Sequence, residues 1–219
     1  MNLPGTEGMP PPPGAVVLFG GGSLQGWSAR DGGEARWRVR VEDGALEVVA
    51  GAGDIVSDER YQDALLHVEL MCPDMPDKRG QAKANSGIYV QGRYEIQVLD
   101  SFGVSIPGSG DCGAIYNQIA PLVNACRPPL TWQSFDIVFR AARIDGSGRV
   151  VNQARLTVFQ NGVVIHNNVE VEGPTGRPLD TDVGEPGPLL LQDHGDPVRF
   201  RNIWIYRLPL AGSSSYEPG

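Results

Sequence analysis

The chain has 219 residues, 41% of them hydrophobic, and a formal net charge of -8. That apolar fraction can build a core and excludes global disorder, and the acidic balance argues against a nucleic-acid or anionic-membrane partner, since phosphate binding relies on clustered Lys and Arg. No apolar run approaches the roughly 18 residues of a membrane-spanning helix.

Residues 1–14 contain four consecutive prolines, Pro10 to Pro13, and almost nothing to bury, so they are expected to form an extended arm. No charged stretch followed by an apolar one opens the chain, which fits a cytoplasmic protein or one whose export signal is not part of this sequence. Residues 15–209 read as a single domain, and 210–219, with Ser213 to Ser215, as a flexible tail.

Within the domain, period-two alternation recurs and helical spacing never persists beyond about two turns. Trp37, Val39 and Val41 alternate with Arg36, Arg38 and Arg40, and Glu42-Asp43-Gly44 turns the chain into a strand over 45–49. Further strands are predicted over 64–71, 86–91, 93–99, 134–141, 188–192 and 198–206. Asn161-Gly162 joins strands over 155–160 and 163–169, a strong hairpin signal because both central residues must accept positive φ. Many short strands between Gly- and Pro-rich turns, 29 and 18 residues in all, predict a sandwich or barrel.

Alternation also says which side chains leave the core. Ala64, Leu66, Val68 and Leu70 share one face, so His67 and Glu69 share the other; Tyr94, Ile96 and Val98 face in, leaving Arg93, Glu95 and Gln97 outward. Arg199 and Arg201 oppose Val198 and Phe200, and the phase slips near Asn202, as at a bulge. His67, Glu69, Glu95, Gln97 and Arg199 are therefore candidates for a site, although any half-exposed sheet has polar residues on its water face. The loop from Gln192 to Pro197 adds His194 between two aspartates, whereas His166 has no acidic neighbour and is expected on an ordinary sheet surface.

Cys112 and Cys126 flank a loop and are a candidate disulfide, with Cys72 left over; reduced, buried thiols are the alternative. No second Cys or His lies at zinc-finger spacing. A phosphate-binding loop, a G-x-S-x-G elbow and an H-E-x-x-H pair are all missing. Glu95 and Asp100 lie five apart, on opposite faces of a regular strand, so two carboxylates on one strand do not support a retaining glycosidase.

The blocks NSGIYVQGRYEIQVLDSFG (85–103), GDCGAIYNQIAPLVNACRPPLTWQSFDIVFRAARID (110–145), NNVEVEGPTG (167–176, followed by Arg177) and PLLLQDHGDPVRFRNIWI (188–205) resemble the bacterial 3-keto-disaccharide hydrolase family, and LFGGGSLQGW (18–27) fits its opening. The resemblance spans about residues 17–208. It implies an all-β, concanavalin A-like jelly-roll sandwich of two antiparallel sheets with a sugar site on one face, a carbohydrate substrate, and a lean toward a periplasmic or secreted location.

For such a substrate, a carbonyl at C3 acidifies the C2 proton, so the glycosidic bond can leave by elimination through an enolate, followed by hydration. That route needs a base near C2, an electrophile for the enolate oxygen and an acid at the leaving oxygen. Glu95 or Glu69 is expected as base and His67 or His194 as acid. Arg199 is expected as enolate stabiliser, or else a divalent metal ion held by residues such as Glu95 and His194. Gln97, Tyr89, Arg201, Trp132 and Gln192 are expected to contact sugar. The alternative is a non-catalytic, lectin-like carbohydrate-binding module, which predicts aromatic platforms from Trp132, Tyr89 or Trp204, with Trp27 and Trp37 kept for the core.

Overall fold

A computed structural model describes residues 6–209. Among the described residues there are fifteen strands: β1 (Val16–Phe19), β2 (Trp27–Ala29), β3 (Arg38–Arg40), β4 (Ala45–Glu47), β5 (Ile55–Tyr61), β6 (Ala64–Met71), β7 (Ser86–Val90), β8 (Tyr94–Val98), β9 (Gln133–Arg140), β10 (Arg143–Ile144), β11 (Val150–Asn152), β12 (Arg155–Gln160), β13 (Val163–Glu170), β14 (Gly187–Leu191) and β15 (Arg199–Arg207). Most match the alternating runs. The strands at 16–19, 27–29, 55–61, 143–144 and 150–152 are not among the alternating runs, because β1, β2, β10 and β11 are too short to show a period and β5 carries the polar run Ser57-Asp58-Glu59-Arg60.

An eight-stranded sheet has the order β13-β12-β9-β6-β15-β4-β3, with β1 also paired to β15, and a five-stranded sheet has the order β2-β5-β14-β7-β8. All pairings are antiparallel. Asn161 and Gly162 take φ of 54° and 79°, as the β12–β13 hairpin demands. The phase slip in β15 is a bulge: the register with β6 shifts between Arg201 and Trp204, and Asn202 adopts φ of 46°. The bulge lets one long strand serve several partners, pairing with β4 at Arg199 and Phe200 and with β1 at Ile203 to Ile205.

The inner faces bury Leu66, Val68, Leu70, Phe135, Ile137 and Phe139 from the large sheet against Ile88, Val90, Ile96, Val98 and Leu191 from the small one. Each such side chain contributes about 1.5–3 kcal/mol by leaving water. Trp27 and Trp37 belong to this core, as expected. The result is a concanavalin-like sandwich with two outer faces, one per sheet.

Of the arm expected over 1–14, residues 6–14 are described and lie across the outer face of the large sheet. Thr6 donates to Asp136, the Gly8 amide donates to Glu69 Oε1 at 2.7 Å, and Asn202 Nδ2 donates to the Met9 carbonyl at 2.9 Å. Residues 1–5 and the tail expected over 210–219 lie outside the described residues.

Candidate functional site

The two outer faces divide the residues that the sequence grouped together. On the five-stranded sheet, Tyr89 lies directly opposite Glu95, and Gly87 opposite Gln97, in the β7–β8 pair. Gln192, just beyond β14, extends the same face and donates through Nε2 to the Tyr89 hydroxyl at 3.2 Å. Loops close over this row and leave a cavity of about 100 Å³, lined by Tyr89, Glu95, Gln97 and Gln192 with Asn85, Tyr116, Arg177 and His194.

Glu95 is the chemical centre of this cavity. Its Oε2 accepts a 2.8 Å hydrogen bond from the Tyr89 hydroxyl, whereas Oε1 accepts none from the described residues and is not sealed away from the cavity. Oε1 lies where a side chain at position 87 would stand: a Cβ on Gly87 would come within 2.6 Å of it. Burial raises the Glu95 pKa to about 7, with the Tyr89 hydrogen bond and Arg177 pulling it down and the nearby Asp54 charge adding to the rise. Tyr89 is held as a donor, because burial and the Glu95 charge push its own pKa far up.

The loop carrying Arg177 is fixed from outside the cavity. Arg30 pairs with Asp54 at 3.0 Å and donates to the carbonyls of Arg177 and Pro178. Its clamp presents the Gly176 carbonyl 3.0 Å from the Tyr89 hydroxyl, and Arg177, at φ of 56°, lines the cavity. Arg177 was not among the residues expected to act, since a Pro/Gly loop has no period from which to infer facing. Asn85 and Tyr116 were missed too, because both lie outside the strands, Asn85 just before β7 and Tyr116 in the loop after β8, where alternation gives no facing.

The outer face of the large sheet holds the remaining candidates. Neighbouring strands place Asp136, His67 and Trp204 in one row and Ser134, Glu69 and Arg201 in the next. His67 Nδ1 lies 2.7 Å from Asp136 and its ring stacks on Trp204 at 5.0 Å between centroids. Burial alone would lower the His67 pKa, but its bonds to Asp136 and Glu69 outweigh this and raise it. Burial acts to raise the Glu69 pKa, yet bonds from His67, Asn202, the Gly8 amide and Arg201 bring it to about 2. Arg201 also lies 4.0 Å above the Trp132 ring. Arg199 is bound to Glu47 at 2.9 Å and Asp43 at 3.2 Å on the same sheet. His67, Glu69, Arg199, Arg201 and Trp132 thus belong to the sheet opposite the one that carries Glu95, and they cannot share its substrate. Outward facing was inferred strand by strand, and a sandwich has two outsides.

Two further expectations change. His166 is buried, not on a sheet surface: its Nε2 donates to the Gly113 carbonyl at 2.8 Å beneath the loop that follows Cys112. Cys72, Cys112 and Cys126 are free thiols, so the disulfide is not formed in this structure.

Among the described residues, no group of three or more His, Cys, Asp or Glu converges on a metal position. Glu95 and His194 are the ionisable pair of the expected ligand set, and one Glu95 oxygen is taken by Tyr89. This donor set does not fit a divalent cation. Of the aromatic platforms of the lectin alternative, Tyr89 does line the cavity, its hydroxyl bound to Glu95, whereas Trp204 is buried on the other sheet and Trp132 pairs there with Arg201.

Residues 14–206 match the 3-keto-alpha-glucoside-1,2-lyase-like domain family. A "putative glycosyl hydrolase" from Parabacteroides distasonis is similar at 38% identity and a TM-score of 0.82, covering 90% of this chain and 85% of that one. A second so described from the same organism has 22% identity and a TM-score of 0.62, covering 90% and 94%. An alginate lyase mutant in complex with alginate tetrasaccharide shares the fold at 11% identity and a TM-score of 0.50, covering 91% and 99%. No curated protein matches the chain. With the family match spanning nearly all of the sandwich, the chain belongs to the 3-keto-disaccharide hydrolase family, the carbohydrate-active β-sandwiches described as 3-keto-alpha-glucoside-1,2-lyase-like.

Proposed function

We propose that the protein cleaves the glycosidic bond of 3-keto-glycosides or 3-keto-disaccharides by elimination and hydration, with Glu95 as base. The observation that carries this reading is a buried carboxylate whose pKa is raised to about 7 and whose Oε1 is free toward a polar cavity. A base with this pKa is ionised in useful amount near neutrality and still strong enough to take a carbon-bound proton made acidic by an adjacent carbonyl. Oxocarbenium chemistry would call for a second carboxylate across the sugar. The cavity lining supplies Glu95 alone.

In the first step Glu95 Oε1 takes the C2 proton, the C1–O bond breaks, and its electron pair leaves on the departing oxygen, which His194 protonates. The Arg177 guanidinium stabilises the charge that develops on the C3 oxygen. In the second step, after the Glu95 carboxyl proton has exchanged with solvent, water adds across C1=C2: its hydroxyl goes to C1, its proton returns to His194, and Glu95 delivers the exchanged proton to C2. Tyr89 orients Glu95 throughout, and Gln97, Gln192, Asn85 and Tyr116 provide hydrogen-bonding groups for the ring hydroxyls. A periplasmic or secreted location would suit such a substrate.

The test is incubation in D2O with a 3-keto-disaccharide and with its unoxidised parent, following released sugar by mass spectrometry. Cleavage of the keto compound alone, with one deuteron at C2 and no sensitivity to chelator, is the expected result. Cleavage of the parent at equal rate, or release without deuterium, overturns the elimination route.

A further inference from the structure

A second reactive pair lies in the loop between β8 and β9, outside the cavity. Cys112 is buried and Cys126 half-buried, and both sulfurs meet the same side-chain amide, that of Gln160. Gln160 Nε2 donates to both sulfurs, at 3.6 Å to Cys112 and 3.4 Å to Cys126, and to Gln133 Oε1 at 3.1 Å. Gln160 thereby holds the two thiols side by side, while Cys72 meets only the other end of this network, through Gln133 Nε2 at 4.0 Å. The neighbouring Cys112 thiol lowers the Cys126 pKa, so Cys126, the less buried of the two, is the one that deprotonates first.

We propose that Cys112 and Cys126 form a redox-active dithiol that closes to an intramolecular disulfide by exchange with a low-molecular-weight disulfide, leaving Cys72 as a thiol. The Cys126 thiolate attacks one sulfur of the reagent, forming a mixed disulfide and expelling one thiolate. Cys112 then loses its proton and attacks Cys126 Sγ, expelling the second thiolate, so that two protein thiols are oxidised as one reagent disulfide is reduced to two thiols.

The bridge would act on the strand that carries Glu95. Immediately after Cys112, the Gly113 amide donates to the Gln97 carbonyl at 2.8 Å, Gln97 N donates to Ala114 O at 2.9 Å, and Tyr116 N donates to Glu95 O at 3.0 Å. Residues 113–116 are therefore an added edge along β8, and Tyr116 lines the cavity. At the other end of the loop, Asn124 Nδ2 donates to the carbonyls of Ser101 and Val104, tying down the segment that leads to Cys126. Closing the loop covalently fixes both ends of this edge.

The experiment equilibrates the folded full-length protein with reduced or oxidised glutathione, blocks free thiols with iodoacetamide in denaturant, and digests with trypsin. After oxidation, the peptide spanning 94–140, which holds both cysteines, is expected to lack two hydrogens and escape alkylation, while the peptide spanning 61–78 carries alkylated Cys72. The unfolding midpoint should rise by roughly 6–12 °C over the reduced protein, the shift expected for a loop of this length in a chain of this size. Cys126→Ser should abolish both changes, and Cys72→Ser should leave them intact. Complete alkylation of Cys112 and Cys126 after oxidation, or a bridge that recruits Cys72, overturns the proposal.

Discussion

The Tyr89 hydroxyl donates to Glu95 Oε2 at 2.8 Å directly across the β7–β8 pair, leaving Oε1 as the carboxylate oxygen that faces the cavity. One strand pairing thus divides the carboxylate into an anchored oxygen and a working one.

The raised Glu95 pKa sets the pH dependence. kcat/KM on a 3-keto-disaccharide should rise with pH to a plateau with a midpoint near the value of about 7. Glu95→Gln should lower kcat by about 100-fold or more. A flat profile between pH 5 and 9 would remove Glu95 as base.

The same shift predicts a stability effect of opposite sense to activity. A carboxyl whose folded pKa is raised to about 7 from 4.5 contributes stability that is fully present below about pH 4.5 and is lost as pH rises through about 7. Glu95→Gln should therefore be more stable than the parent at pH 8, by on the order of 3 kcal/mol, and show little difference at pH 4. Urea unfolding at the two pH values checks this.

Tyr89→Phe removes the donor that lowers the Glu95 pKa. The midpoint of the pH profile should move upward, with turnover at pH 9 recovered to within about tenfold of the parent. An unchanged midpoint with uniformly lower kcat would show that Tyr89 only shapes the cavity.

Gly87→Ala places a methyl group 2.6 Å from Glu95 Oε1 and 2.9 Å from the Tyr89 ring. The Glu95 side chain can yield, so the fold should survive with a loss of about 1–3 kcal/mol. Turnover should fall at least tenfold as the base is displaced. Thermal unfolding and kcat, measured on the same sample, separate the two effects.

On the opposite face, His67→Gln should leave turnover unchanged and alter stability. The raised His67 pKa means that its contribution is fully present below about pH 6.5 and is lost as pH rises through the higher folded value. The parent should lose more stability than His67→Gln between pH 6 and 9. A loss of turnover would couple this cluster to the Glu95 cavity.

Alternation determined much of this protein. It located Ala64–Met71 to the residue, identified His67, Glu69, Glu95 and Gln97 as leaving the core, and exposed the bulge at Asn202. These are local properties, because a strand's side chains alternate whatever surrounds it. The blocks from Asn85 to Ile205 carried the family and with it the sandwich. Only the tertiary structure decided that Glu95 and His67 face away from each other on different sheets, since period two separates inside from outside and says nothing about which of two outsides a strand supplies. Loop closure decided the rest: Arg177 reaches the cavity through the Arg30 clamp, and His166 is buried under Gly113 by a segment more than fifty residues away. Contacts of that range depend on how the whole chain packs, and no short window of sequence contains them.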